Sequence, residues 1–176
     1  LGEFSWIVPE DDKIARVGII GRNIKEDYKK LIKECKVIED QSGIIPVYNP
    51  KQILRKGNVF LIGDAATQVK ATTYGGIIYG LIAGKYLAED KKNYVKNFNK
   101  NLKKELLLSL KMRNFMNLMK KEQYNELVDI FQKEENIKIL SKYERDFPSK
   151  FILRLLIKEK GFWKIGVNVL KNKFFK

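Results

Sequence analysis

The stretch that decides the fold runs from Val59 to Gly84 and reads VFLIGDAATQVKATTYGGIIYGLIAG. Its first four residues are apolar and end on Gly63-Asp64, which is typical of a buried strand followed by a turn. A polar loop follows, and a helix is predicted to open on Gly75-Gly76. This order places a carboxylate and a helix N-terminus at the same end of a sheet. Carboxylates accept hydrogen bonds from hydroxyl groups, and free helical N–H groups attract electron-rich groups, so the stretch predicts a site for such a ligand.

The same stretch resembles the second FAD-contacting motif of p-hydroxybenzoate-hydroxylase-type flavoproteins, and more closely that of the geranylgeranyl reductase family. The family pattern is a strand, Gly-Asp-Ala-Ala-Gly, and a loop of the type Lys-x-Thr-Thr-Gly-Gly-Gly-Ile. The residues that match this pattern are Gly63, Asp64, Ala65, Ala66, Lys70, Thr72, Thr73, Gly75, Gly76 and Ile77. Thr67 and Tyr74 replace two glycines of the pattern, and Tyr74 does so where the loop passes close to the flavin edge.

A second resemblance lies at the start of the chain. The segments Phe4–Pro9 (FSWIVP) and Arg16–Gly21 (RVGIIG) look like the aromatic-x-Trp-x-Phe-Pro strand of the family and the strand that pairs with it, with Val8 in place of Phe. A complete family member opens with a Gly-x-Gly-x-x-Gly turn that holds the ADP half of FAD. The glycines of this chain lack that spacing, so the chain resembles the C-terminal half of such an enzyme: a fragment, a split gene product or a truncated sequence.

The resemblance implies FAD as the cofactor and assigns roles to the loop. Asp64, beside Gly63, would accept hydrogen bonds from the ribityl chain. Gly75, Gly76 and Ile77 would bring N–H groups to the pyrimidine side of the flavin, with Gly76 open to a positive φ. Two alternatives stay open for the remaining residues. Thr72 and Thr73 would line the flavin ring or cap the helix, and Lys70 would meet a phosphate or lie in solvent.

The resemblance also implies a substrate and a reaction. Phe4 and Trp6 share one face of a strand and, with Pro9, would line an isoprenoid channel; spacing alone favours ordinary core. Reduced flavin would deliver hydride to an alkene carbon, with a proton from an acid or water that no residue here identifies. A flavin monooxygenase or halogenase of the same superfamily is one alternative. A non-catalytic basic module that binds anionic membranes is another.

Composition narrows the class of protein. The chain has 176 residues, 44% of them hydrophobic, which is enough for a real core. With no His and one Cys, a metal site of zinc type and a His-based catalytic triad are excluded, and a reducing compartment is favoured. Signal-peptide and bilayer-spanning patterns are not evident. We expect a cytoplasmic protein, peripheral on the inner membrane face.

Positive charge is concentrated in the second half. Residues 1–90 carry 13 Lys/Arg against 12 Asp/Glu, whereas residues 91–176 carry 22 against 9. Solvated Lys-rich helices explain this excess, and so does a surface for anionic lipid. Nucleic acid is disfavoured because the aromatic residues lie on apolar stripes. The terminal stripe is read as the inner face of a helical layer, with a membrane-surface helix as the alternative; it comprises Phe151, Ile152, Leu155, Leu156, Phe162, Trp163, Ile165, Val169, Phe174 and Phe175.

The predicted fold is α+β: part of an antiparallel substrate-side sheet (residues 1–50), the final strand and helix of an FAD domain (51–90) and a basic helical region (91–176). The predicted strands are residues 2–8 and 14–21, joined by an acidic turn, one strand within 36–48, and 58–62. The predicted helices are 26–35, with Cys35 packed on it, 76–90, rich in small residues for packing on the sheet, one or two in 91–118, and 121–134, 149–158 and 162–173. Asp146–Ser149 is predicted to start the helix that follows it.

Overall fold

The computed structural model describes residues 4–174, with side chains as far as Lys171. Residues 2 and 3 of the first predicted strand, and Phe175 of the terminal stripe, lie outside this description. Helices and short antiparallel strands both occur, which agrees with the predicted α+β class. The chain divides between Gly43 and Ile44 into two compact units. The predicted division at residues 50 and 90 concerns the origin of the segments and stays a prediction.

The first unit contains the predicted hairpin. Its elements are β1 (Phe4–Pro9), β2 (Ala15–Ile20) and α1 (Lys25–Leu31). The two strands pair in antiparallel fashion along their whole length. The Asp11 carboxylate closes the turn by accepting hydrogen bonds from the N–H groups of Lys13 and Ile14, both at 2.7 Å. An Asp side chain that binds the backbone two or three residues later is a common turn device, and the acidic turn is confirmed.

Two predictions for the rest of this unit are wrong. The helix predicted over residues 26–35 ends at Leu31, and Cys35 is exposed instead of packed. Because α1 buries none of its residues, tertiary packing does not extend it beyond two turns. The strand predicted within residues 36–48 does not form. A strand needs a neighbour for its backbone groups, and no described strand pairs with this segment, which crosses the boundary between the two units.

The second unit begins its regular structure with a very short hairpin. Its strands are β3 (Arg55–Lys56) and β4 (Val59–Phe60). The buried strand predicted over residues 58–62 is therefore wrong in length and in burial, since Val59 is 64% exposed. Within the described residues β4 pairs only with β3. A strand is buried on both faces only inside a covered sheet, and within the described residues β4 belongs to a sheet of two short strands.

Seven helices follow within the described residues. They are α2 (Ile77–Glu89), α3 (Tyr94–Asn101), α4 (Lys103–Met116), α5 (Lys121–Gln132), α6 (Glu134–Ser141), α7 (Ile152–Lys158) and α8 (Gly161–Phe174). The predicted helices are confirmed in position. The sequence prediction missed α6, which is separated from α5 by extended backbone at Lys133.

The main core lies between α2, α3 and α4. Its largest fully buried side chains are Tyr79, Tyr94, Phe98, Leu102 and Leu106. A smaller cluster joins α5 to α8, and it buries Ile130, Ile165 and Val169. The interpretation of the terminal stripe as an inner helical face is thus confirmed for Ile165 and Val169, as it is for Phe151 and Leu155, and is wrong for Trp163, which is 65% exposed.

The small residues of α2 allow close packing, but not on a sheet as predicted. A short 3₁₀ turn (Gly63–Ala66) lies against the helix. A Cβ atom on Gly80 would lie 3.3 Å from the Cα atom of Gly63. Ala83 is fully buried on the same helix. The glycine and alanine positions therefore bring α2 against the backbone of the 3₁₀ turn.

Residues 67–76, which we call the motif loop, join the 3₁₀ turn to α2, and side chains from the motif and from α3 fix the start of the loop. The Gln68 side chain is fully buried. Its Oε1 accepts a hydrogen bond from the Gly63 N–H at 2.7 Å, and its Nε2 donates to the Tyr94 hydroxyl at 2.9 Å. Tyr94 donates in turn to the Leu61 carbonyl at 2.6 Å. Every polar group of this buried chain has a partner, so it holds the loop rigidly.

Helix α4 fixes the middle of the motif loop. The Ser109 hydroxyl accepts a hydrogen bond from the Thr72 N–H at 3.1 Å. The Arg113 side chain donates to the Ala71 carbonyl at 2.8 Å and to the Thr72 carbonyl at 2.7 Å. Loop backbone groups that lie away from water are thereby satisfied by side chains from about 40 positions later in the chain.

A buried ion pair joins the motif loop to the segment before α7. The Lys70 ammonium donates to the Asp146 carboxylate, and Lys70 is only 4% exposed. The Tyr79 hydroxyl donates to the backbone carbonyl of Asp146. Burial, together with the Glu105 and Asp146 carboxylates, raises the pKa of Tyr79, so its hydroxyl stays a donor. Both sequence-based alternatives for Lys70 are therefore wrong. Its side chain does not lie in solvent, and its ammonium is not free to meet a phosphate.

The predicted cap at Asp146–Ser149 is also replaced by longer-range contacts. Helix α7 begins at Ile152 without a side-chain cap. Asp146 binds Lys70, and the buried Glu105 carboxylate accepts hydrogen bonds from the Ser149 N–H, at 3.0 Å, and from the Ser149 hydroxyl. Residues that look like a local helix start therefore serve as anchors for α4 and the motif loop.

We expect Lys70→Met to destabilise the chain by about 3 kcal/mol, because it leaves the largely buried Asp146 carboxylate without its cation. Asp146→Asn should cost a similar amount. The double variant should be more stable than the sum of the two losses predicts, by at least ~1 kcal/mol. Urea unfolding followed by circular dichroism measures all three, with the exposed Lys96→Met as control. Additive losses in the double variant would show that the pair is not energetically coupled.

Candidate functional site

The backbone from Gly63 to Tyr74 passes three times through the left-handed region. The φ angles are 59° at Gly63, 52° at Thr67 and 56° at Tyr74. Glycine adopts this conformation freely, whereas other residues lose roughly 1–2 kcal/mol in it. Thr67 and Tyr74 are the two positions at which the family pattern has glycine. The backbone therefore keeps the left-handed conformation that glycine favours, although the side chains of Thr67 and Tyr74 make that conformation less favourable.

Local contacts hold these two residues in place. The Thr67 hydroxyl accepts a hydrogen bond from the Asn49 N–H at 3.0 Å. The Tyr74 N–H donates to the Lys70 carbonyl at 2.9 Å. The Arg113 guanidinium lies 5.5 Å from the centre of the Tyr74 ring, within the range of a cation–π contact. These interactions offset the backbone strain that the missing glycines would have avoided.

Asp64 has the properties expected of a ligand-binding carboxylate. Its side chain is exposed, and across residues 4–174 it has no hydrogen-bonding or ion-pairing partner in the protein. One carboxylate oxygen lies 3.2 Å from the point that a Cβ atom on Gly76 would occupy. Asp64 therefore lies beside the N-terminus of α2, where the free N–H groups of the first turn favour negative charge and electron-rich groups.

Gly75, Gly76 and Ile77 form the start of α2. No side chain caps this helix end among the described residues. A Cβ atom on Gly76 would come within 2.9 Å of the Val69 side chain, so the position requires glycine for space. Gly76 has a φ of −118°, and the expectation of a positive φ there is wrong. Ile77 is 79% exposed, so the first helical turn is accessible.

The two threonines of the loop differ in their surroundings. The Thr72 hydroxyl lies 3.0 Å from the Ser109 hydroxyl, in hydrogen-bonding contact. Thr73 is exposed. Neither residue caps α2 through its side chain. Thr72 thus connects the loop to α4, and Thr73 keeps its side chain on the accessible side of the loop.

The candidate substrate residues lie on the hairpin of the first unit. Phe4 and Trp6 are 39% and 40% exposed, and their ring centres are 5.8 Å apart. Trp6 pairs with Gly18 across the hairpin, and a Cβ atom on Gly18 would lie 2.0 Å from the Trp6 ring. Pro9 is exposed at the end of the strand. The aromatic face is therefore accessible, not the ordinary core that spacing alone favoured.

The residues that hold the site were not found by sequence reasoning. They are Gln68, Tyr94, Glu105, Ser109, Arg113 and Asp146. Most lie outside the recognised motif, and their contacts span from 26 to 76 positions. Local spacing carries no signal for such contacts. A buried polar residue inside the motif, Gln68, was the one available hint.

Comparison with known proteins finds relatives among archaea. An uncharacterised protein of Methanocaldococcus jannaschii is 28% identical over 80% of this chain and 42% of its own length. A digeranylgeranylglycerophospholipid reductase of Methanothrix thermoacetophila is 24% identical over 76% of this chain and 41% of its own length. Digeranylgeranylglycerophospholipid reductase 2 of Methanosphaera stadtmanae is 26% identical over 94% of this chain and 47% of its own length.

No protein-family model matches the chain, and no solved structure gives a significant match. The chain spans less than half the length of the curated relatives that it matches. Those relatives cover most of this chain, and the reductases among them carry the family name that the motif residues predicted. The chain is thus similar to archaeal digeranylgeranylglycerophospholipid reductases, in agreement with the resemblance to the geranylgeranyl reductase family that its motif residues carry.

Proposed function

We propose that this chain is the C-terminal part of an FAD-dependent oxidoreductase that reduces isoprenoid double bonds in the synthesis of membrane lipids. The names of its relatives support a reductase of this substrate class. The observation that carries the proposal is the exposed, unpartnered Asp64 carboxylate beside the uncapped start of α2. A site with these two groups suits a ligand that has hydroxyl groups next to an electron-rich ring.

The residues present fit the flavin end of FAD. Asp64 would accept hydrogen bonds from ribityl hydroxyl groups. The N–H groups of the first α2 turn would meet the pyrimidine edge, where Gly75 and Gly76 place no side chain in the way. Behind them lies the buried Lys70, whose Nζ is 3.7 Å from the point that a Cβ atom on Gly75 would occupy. Its ammonium is paired with the Asp146 carboxylate, so it supports the loop and adds no net charge to the helix end.

FAD, when bound and reduced, would supply hydride to one carbon of the alkene. The protein residues bind and orient the reacting groups. The helix end would stabilise negative charge on the ring, because its N–H groups present partial positive charge from a preorganised position. The accessible aromatic face of Phe4 and Trp6, ending at Pro9, would contact the isoprenoid chain.

The proposal includes a partner segment that binds the ADP half of FAD. Helix α2 presents Ile77 and Leu81, 79% and 67% exposed, on one face, and β4 presents Val59 at 64%. Apolar side chains this exposed near the motif are suited to contact with a further protein layer. The greater length of the relatives leaves room for such a segment, on the same chain or on another.

Two other functions have less support. A flavin monooxygenase or halogenase would use a similar cofactor loop, but the reductase names of the relatives favour reduction. A non-catalytic basic module would not require a free carboxylate at a helix N-terminus. A cytoplasmic location with peripheral contact to the inner membrane face belongs to the proposal.

Replacing the carboxylate tests the cofactor site. In the chain completed by a relative's N-terminal FAD-binding half, Asp64→Ala should weaken FAD binding by roughly 1–3 kcal/mol, because the ribityl hydroxyls lose a charged acceptor. Fluorescence titration of apoprotein with FAD measures the dissociation constant. The matched control is Glu89→Ala, which removes an exposed carboxylate at the opposite end of α2. Equal affinities for Asp64→Ala and the wild type would remove Asp64 from the site.

Filling the space at Gly76 tests the helix start. Gly76→Val should abolish flavin retention, because its side chain would collide with Val69 and occupy the approach to the first turn. Absorbance of the purified protein at the flavin bands measures the cofactor content, and circular dichroism checks the fold. Gly166→Ala, at a position with open space around it, is the control. Normal flavin content in Gly76→Val would show that Gly76 is only a helix start.

A further inference from the structure

Helix α8 has two apolar faces, and the fold uses only one of them. Ile165 and Val169 are 2% and 0% exposed and pack against α5. Trp163, Val167 and Leu170 are 65%, 51% and 50% exposed. Since spacings of three and four residues bring side chains to one side of a helix, these three form a continuous ridge. We call it the outer face of α8.

The outer face of α8 can be buried without the loss of side-chain hydrogen bonds. The indole N–H of Trp163 donates to the Leu156 carbonyl at 2.8 Å, so its hydrogen bond is already made within the protein. The remainder of the ring is hydrocarbon, and Val167 and Leu170 carry no polar side-chain atoms. Burial of this face would therefore remove apolar surface from water without breaking a side-chain hydrogen bond.

A row of lysines borders the outer face on one side. Lys160, Lys164 and Lys171 lie about 60–100° around the helix from Trp163 at 100° per residue. Lys164 has a loose contact with Glu126 at 3.6 Å, with its side chain 69% exposed. Across the described residues, Lys160 and Lys171 form no ion pair. Residues 149–176 hold eight Lys/Arg and a single acidic residue, Glu159.

We propose that the outer face of α8 docks on the surface of an anionic membrane, with the helix parallel to the bilayer. An apolar ridge beside a row of cations is the pattern of an interfacial helix, in which the ridge enters the headgroup boundary and the lysines meet lipid phosphates. A second copy of this chain would bring the same positive charges together, which favours the membrane as occupant. None of the helices described crosses a bilayer by length and hydropathy.

The docking needs no flavin, so it is tested separately from the proposed reaction. The chain has two tryptophans, and Trp6→Phe leaves Trp163 as the single fluorophore. We expect a blue shift of Trp163 emission with vesicles of phosphatidylglycerol and phosphatidylcholine, and quenching by brominated acyl chains. Vesicles of phosphatidylcholine alone should give neither effect. High salt should release most of the protein, because the lysine contribution is screened.

Two sets of variants test the apolar ridge and the row of lysines separately. Trp163→Gln with Val167→Gln and Leu170→Gln removes the ridge, and Lys160→Gln with Lys164→Gln and Lys171→Gln removes the charge row. Each set should weaken co-sedimentation with anionic vesicles at least about tenfold. Matched controls alter exposed residues elsewhere, namely Val128→Gln with Ile137→Gln, and Lys96→Gln with Lys100→Gln and Lys104→Gln. Circular dichroism confirms that each variant keeps its helices.

Three results would overturn the proposal. Vesicle binding by the ridge and charge-row variants equal to that of their controls would show that α8 is not the docking element. Emission of Trp163 that does not respond to anionic vesicles would show that the ring stays in water. A dimer that dissociates in the ridge variant, without vesicle binding by the wild type, would identify the outer face as a contact between copies. In each case the flavin proposal would remain as it stands.

Discussion

The buried pair of Lys70 and Asp146 ties the motif loop to a segment 76 residues away. An unpaired ammonium at 4% exposure would be strongly unfavourable, so the loop and the segment before α7 keep their positions together. Tyr79 strengthens the arrangement by binding the backbone of Asp146 from α2. The start of the motif loop is thus held through α3, its middle through α4, and Lys70 through the segment before α7.

This dependence gives the basic helical region a role in the site itself. Ser109 and Arg113 of α4 bind backbone groups of the loop, and Tyr94 of α3 accepts a hydrogen bond from the Gln68 side chain. The loop can therefore hold Thr67 and Tyr74 in a left-handed conformation, which in isolation would be unfavourable. The loop keeps the backbone path of a glycine-rich motif because hydrogen bonds from side chains outside the motif offset the strain at Thr67 and Tyr74.

The sequence allowed prediction of those features that local patterns encode. The hairpin follows from alternating residues and an acidic turn, and the helices from their apolar spacing. The resemblance to the geranylgeranyl reductase family follows from Gly63-Asp64 and the Thr-Thr-x-Gly-Gly loop. Burial of Lys70 and the pairing of Glu105 with Ser149 could not be predicted, because the partners lie 76 and 44 positions apart. The predicted strands failed where they needed neighbours: no described strand pairs with residues 36–48, and β4 pairs only with β3. Whether Asp64 and the start of α2 hold FAD stays a prediction.

The cross-links between the loop and the helices also couple ligand binding to folding. Any ligand that binds the ordered loop, and not the unfolded chain, stabilises α3, α4 and the segment before α7 by mass action. Without such a ligand, proteolysis and amide exchange would be faster around Asp146, far along the chain from the loop. The abundance of this protein in a cell would then follow the supply of such a ligand, with the Lys70–Asp146 pair as the physical connection.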